Sequence, residues 1–130
     1  MTDVAREREL VQAWRGLAER YAAVSCALER ALHDAHGLGV SEFEVLDRLA
    51  EDDEPKRRVQ GLAESVHLSQ SALSRVVARL ERDGLVARSM CADDRRGIFV
   101  CLTDEGRVRH AAAQATQRAV LAATLASVPS

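Results

Sequence analysis

Long apolar runs are missing from this 130-residue chain: none approaches the ~20 residues a spanning helix needs. Met1 to Glu9 alternates charged and small residues and builds no signal-peptide apolar stretch. The expected location is therefore cytoplasmic, with no membrane partner. Cysteine is scarce and odd in number (Cys26, Cys91, Cys101) with no Cys-x-x-Cys pair, which argues against a secreted disulfide scaffold and a zinc ribbon. Aromatics make up 3% (Trp14, Tyr21, Phe43, Phe99), poor material for stacking on single-stranded bases. Lysine is almost absent, Lys56 being the only one, so the basic charge is nearly all arginine. No Gly-rich phosphate loop, Gly-x-Ser-x-Gly elbow or His-Glu-x-x-His occurs, and the chain is read as a non-enzyme without cofactor or metal.

What is present suffices for one core. With 47% hydrophobic and 29% charged residues, the chain is a single domain over 1–130. The net charge of -2 hides an uneven distribution. Residues 1–55 carry 6 arginines against 13 acids, residues 56–96 carry 9 bases against 5, and residues 97–130 carry 3 against 2. A basic middle is an electrostatic footprint suited to phosphates, or else a solvated surface.

The elements follow from periodicity. Leu10, Trp14, Leu17, Tyr21, Val24, Leu28 and Leu32 recur in steps of three and four and predict a long first helix, closed by Gly37 and Gly39. Ser41 and Glu44 have capping-box spacing for a second helix, with Val40 stapling to Val45 and Phe43, Leu46, Leu49 and Ala50 as its apolar face. On that reading Glu42, Glu44 and Asp47 are its solvent face. A short helix over 59–66 follows. Ser69 then N-caps a helix to Asp83 that packs through Leu73, Val76, Val77 and Leu80 and stops at Gly84. Two short helices joined by a tight turn are the pattern of a helix-turn-helix. Beyond Gly84 the period becomes alternating: Leu85-Val86 opens one strand and residues 98–103 form another, around the polar tip 92–97. The fold class is mainly α with a small β-hairpin wing, a winged helix-turn-helix flanked by long helices. Thr103 caps the last helix, with Asp104 and Glu105 favoured by its dipole.

At 100° per residue, the helix face opposite the apolar edge carries Ser71, Arg75, Ala78 and Arg82, flanked by Ser74 and Arg79. Arginine grips guanine bidentately and serine donates to phosphate or base edges without blocking approach. Ser69 and Gln70 lie in the first turn, within reach of phosphate or adenine. Arg95 and Arg96 at the hairpin tip suit a narrow minor groove, and Asp94 is spaced to orient Arg96. The candidate DNA-binding set is thus Ser69, Gln70, Ser71, Ser74, Arg75, Arg79, Arg82, Arg95 and Arg96, with Asp94 in support.

The run from Leu68 to Val86 (LSQSALSRVVARLERDGLV) resembles the MarR family of bacterial regulators, as does Asp94 to Gly106 (DRRGIFVCLTDEG), with an Asp-x-Arg wing signature followed by Leu-Thr-x-x-Gly. With residues 37–46 included, the resemblance covers nearly the whole chain. It implies a sequence-specific double-stranded DNA-binding regulator, a homodimeric repressor on a pseudo-palindromic operator, released by a small effector of phenolic type. It implies that residues 1–36 and 104–130 are dimerisation helices and 41–103 the DNA-binding unit, and that Ser74, Arg75 and Arg79 meet the major groove and Arg96 the minor groove. A family-like pocket is expected between the long helices and the winged unit, near Cys26 and Phe43. The family usually continues into another helix past the position of Val128-Pro129-Ser130.

Two sharper readings compete with this one. Cys26, Glu29, His33 and His36 share a helix stripe with metal-ligand residue types, but no second element closes a site. Cys26 as a redox sensor lacks the early position and tyrosine partners of the family's oxidant-sensing branch. A winged-helix protein-interaction module is the alternative class; the Arg75, Arg79 and Arg96 set speaks against it.

Overall fold

The computed structural model describes residues 3–51, 56–90 and 98–125. In chain order the elements are α1 (Asp3–His36), α2 (Val40–Glu51), β1 (Lys56–Arg58), α3 (Val59–Val66), α4 (Gln70–Arg82), β2 (Val86–Met90), β3 (Ile98–Leu102) and α5 (Asp104–Thr124). The helices fall where periodicity puts them. Among the described residues, none is long and apolar enough to cross a membrane.

Two details differ from expectation. Helix α2 begins at Val40, and its cap lies two residues before the expected Ser41 and Glu44: the Gly39 amide donates to Glu42 Oε1 at 3.2 Å, the glutamate half of a capping box. The sheet has three strands in the order β1-β3-β2, all antiparallel, so the expected hairpin gains an edge strand. Val86 pairs with Leu102 and Met90 with Ile98, while Lys56 pairs with Cys101 on the other side of β3.

The core gathers the apolar faces of the winged unit: Phe43, Val45, Leu46 and Leu49 of α2, Leu62 of α3, Leu73, Val77 and Leu80 of α4, and Val86 and Val100 of the sheet. Leu32 from α1 and Ala113 from α5 join it, which ties the long helices to the unit. Helix α5 packs along α1. Beside the core, His110 of α5 is buried, shares a 2.8 Å hydrogen bond with Asp47 of α2, and stacks on Phe43 with ring centroids 5.7 Å apart.

The end of α4, the wing and the start of α5 meet at one place. Gly84 takes a left-handed φ of 78°, and the Gly84 and Leu85 amides turn back to the carbonyls of Glu81 and Leu80. Leu80 and Leu85 are both fully buried, which supplies the apolar contact of this cap. The Leu85 carbonyl then accepts the Thr103 amide at 3.1 Å. Thr103 Oγ1 donates to the Gly84 carbonyl at 2.6 Å and accepts the Gly106 amide at 3.0 Å, capping α5. A Cβ at Gly106 would collide with the Leu85 carbonyl. This is the physical content of the Leu-Thr-x-x-Gly run at residues 102–106.

Backbone cannot yield as a flexible side chain would. Gly106→Ala is therefore expected to cost ~2 kcal/mol or more, lowering the thermal midpoint by roughly 8 °C. A midpoint within about 2 °C of wild type would contradict this packing.

Candidate nucleic-acid interface

Helix α4 is built to present one edge. Ser69 takes extended backbone geometry and its Oγ accepts the Ala72 amide at 3.1 Å, so the first turn is capped without spending an acid there. Leu73, Val77 and Leu80 are buried and Val76 is half-buried, as the sequence pattern predicts. Ser69, Gln70, Ser71, Ser74, Arg75, Ala78, Arg79 and Arg82 are all exposed. The helix thus stands with hydroxyls and guanidiniums outward on a rigid apolar base.

Its acid is offset. Glu81 Oε1 lies 3.6 Å from Arg88 Nε on β2, leaving the exposed arginines of α4 unopposed by this carboxylate. Arg79 is different from its neighbours: its NH1 donates to Glu42 Oε1 at 3.3 Å. The Glu42 side chain is 8% exposed, whereas that of Arg79 is 56% exposed, so the pair joins a buried anion to an accessible cation. The other candidate residues, Asp94, Arg95 and Arg96, lie outside the described residues, as does Cys91.

The acidic face of α2 is therefore not a solvent face. Glu42 is buried against Gly39 and Arg79, and Asp47 holds His110. Glu44 is half-buried, and burial pushes its carboxyl above the ordinary glutamate value; Asp47 and Glu51 add to the rise while Arg48 opposes it. Charge type alone carries no sign of the Arg79 and His110 partners, because both come from distant helices.

A cleft of about 370 Å³ opens between α1, α2 and the α3–α4 turn, with Tyr21, Val24, Leu28, Glu44, Arg48 and His67 among its lining. It lies close to the expected pocket, beside Cys26 in sequence, but Phe43 is not part of it; that ring is 1% exposed and belongs to the core. His67 adopts a left-handed φ of 58° at the cleft wall, a conformation that costs a non-glycine residue of order 1 kcal/mol. Arg48 NH1 is 3.5 Å from Glu51, and Arg48 Nε is buried with no hydrogen-bond partner among the described residues.

The Cys26, Glu29, His33 and His36 stripe does not converge. Glu29 Oε2 accepts the Val40 amide, His33 faces Asp34 at the surface, and His36 Nε2 shares a 2.6 Å hydrogen bond with Thr116 of α5. Among the described residues, no group of three or more His, Cys, Asp or Glu comes together to hold a metal ion.

Comparison with known proteins agrees with this geometry. The model of the MarR family matches residues 38–98. The structure of Sco3205, a MarR family transcriptional regulator from Streptomyces coelicolor in complex with DNA, is 31% identical with a TM-score of 0.84, the match covering 98% of this chain and 78% of that one. CouR from Rhodococcus jostii RHA1 bound to p-coumaroyl-CoA is 30% identical with a TM-score of 0.76, over 87% of this chain and 78% of that one. The homoprotocatechuate degradative operon repressor of Escherichia coli is 32% identical over 85 residues, 65% of this chain and 56% of that protein. The match thus spans little more than half the length of that curated relative. Sco3205 is thus a transcriptional regulator and the Escherichia coli relative an operon repressor.

The raised Glu44 carboxyl carries a definite sign. Folding makes this group hold its proton more tightly, so its contribution to stability is present below the ordinary glutamate value and is lost as pH rises through the raised one. Glu44→Gln is expected to melt higher than wild type at pH ~7, with the gap closing toward pH ~4. A gap that widens on acidification would contradict the assignment.

Proposed function

The chain belongs to the MarR family, and from that premise we propose that it is a sequence-specific double-stranded DNA-binding transcriptional repressor that works as a homodimer on a pseudo-palindromic operator. The observation that carries this reading is the exposed edge of α4, where Ser71, Ser74, Arg75 and Arg82 stand clear of the core on a helix that buries Leu73, Val77 and Leu80 on its opposite edge. Serines and arginines on such an edge match the donors and acceptors of the major groove. Ser69 and Gln70 at the helix start and Arg79 near its end bracket the contact surface. Arg95 and Arg96 are the proposed wing contacts in the minor groove, with Asp94 orienting Arg96.

The dimer reading rests on α1. Its stripe does not finish within one protomer: Leu10, Trp14, Leu17 and Tyr21 are 60%, 66%, 55% and 75% exposed, while Leu32 on the same stripe is fully buried. Four large apolar side chains in a row on one helix form the kind of patch that a second copy covers. Two-fold symmetry then sets two half-sites about one helical turn apart, ~10 bp centre to centre.

A small-molecule effector of phenolic type is proposed for the cleft between α1, α2 and the α3–α4 turn. Arg48 in the lining supplies a guanidinium for an acidic or phenolic oxygen, and Val24 and Leu28 supply apolar wall. A ligand there would lie between the proposed dimer helix and the turn that leads into α4.

Two experiments test the reading. A duplex selected by the protein from a randomised pool should discriminate less well against single-base variants when Arg75→Ala is introduced, by ~1–3 kcal/mol at the affected position. Undiminished discrimination would remove Arg75 from the groove. Trp14→Glu is expected to sediment as a monomer and to lose tight binding to the same duplex; a variant that remains dimeric would move the interface off the α1 stripe.

A further inference from the structure

Among the described residues, the contact between Glu42 and Arg79 is where a side chain of the exposed α4 edge is held by the protein interior. Glu42 Oε1 accepts two donors, the Gly39 amide that begins α2 and the Arg79 guanidinium, at 3.2 and 3.3 Å. Glu42 Oε2 is buried and has no hydrogen-bond partner among the described residues, so the Glu42 charge is balanced through Oε1 and the positive end of the α2 dipole. Glu29 of α1 joins the same helix start: its Oε2 accepts the Val40 amide at 3.4 Å, and its Oε1 and Glu42 Oε1 lie 3.2 and 3.3 Å from where a Cβ on Gly39 would stand. The beginning of α2 is therefore clasped by a carboxylate from α1 and by one that reaches α4.

Arginine offers five donors in a rigid fork, and Arg79 commits only NH1 to Glu42, with more than half of the side chain still exposed. A long side chain already held in one rotamer loses less freedom on meeting a phosphate than a mobile one does. We propose that Glu42 is a positioning residue for DNA binding: it fixes the Arg79 guanidinium on the outer edge of α4 and ties that guanidinium to the α2 start that Glu29 of α1 also holds. The inference rests on the reading of α4 as the helix that enters DNA.

A double-mutant cycle on affinity for the selected duplex tests it, with thermal unfolding recorded for every variant. Glu42→Ala is expected to weaken binding about fivefold when Arg79 is present and to have no further effect in the Arg79→Ala background. Glu42→Gln keeps an acceptor for both donors and is expected to stay within about twofold of wild type. A merely structural Glu42 predicts the same loss in both backgrounds; that result, or no loss at all in Glu42→Ala, would overturn the inference. Loss in Arg75→Ala with none in Arg79→Ala would overturn it while leaving the α4 reading intact. Loss in neither arginine variant would overturn the α4 reading itself. If Glu42→Ala does not fold, side-chain nitrogen relaxation of the wild-type protein decides: Arg79 Nε is expected to be more ordered than Arg75 Nε, and equal mobility would overturn the proposal.

Discussion

The backbone junction at Leu85 is the constraint on which the rest depends. Its amide closes α4, its carbonyl receives the Thr103 amide at the end of the wing, and the absence of a side chain on Gly106 lets α5 start against it. The backbone of one residue thus fixes the exit of α4, the return of the hairpin and the departure of a long C-terminal helix. Local capping chemistry, not the extent of apolar burial, sets these angles. Given them, α4 buries Leu73, Val77 and Leu80 and has no choice but to turn its serines and arginines outward.

Electrostatics refines what that geometry makes available. Two acids of α2 are turned toward partners on other helices, Glu42 toward α4 and Asp47 toward α5. Glu81 is offset by Arg88 of the wing strand. The outer edge of α4 therefore keeps its positive character although the chain as a whole is slightly acidic. The same pairings connect helices: α1 to α2 through Glu29, α2 to α4 through Glu42, α2 to α5 through Asp47 and His110. The cleft beside Glu44 and Arg48 is lined by α1, α2 and the turn that leads into α4.

Much of this was legible in the sequence, and the exceptions share a cause. The helices, the Ser69 and Thr103 caps, the Gly84 stop and both hairpin strands follow from local periodicity and capping preferences, which a short window contains. Strand β1 was not legible: three basic residues after Pro55 show no alternation, and they pair only because β3 passes beside them. Ser41 has the chemistry of an N-cap, yet Gly39 takes that role because Glu42 is buried where it reaches the Gly39 amide. The buried roles of Glu42, Asp47 and His110 depend on partners 37 and 63 residues away in the chain, which no spacing rule reveals. The α1 stripe was visible throughout, but only the fold distinguishes its covered end at Leu32 from its uncovered end at Trp14.

The central claim is that the exposed edge of α4 reads DNA by sequence. Its most direct test is a titration of the purified full chain with its selected duplex and with a scrambled duplex of equal length, each at two salt concentrations. The account predicts tight binding to the first that weakens steeply as salt rises, as expected when several arginines displace phosphate counterions, and far weaker binding to the second. Equal, weak affinity for both duplexes would contradict it and leave a winged-helix fold that serves as a protein-interaction module.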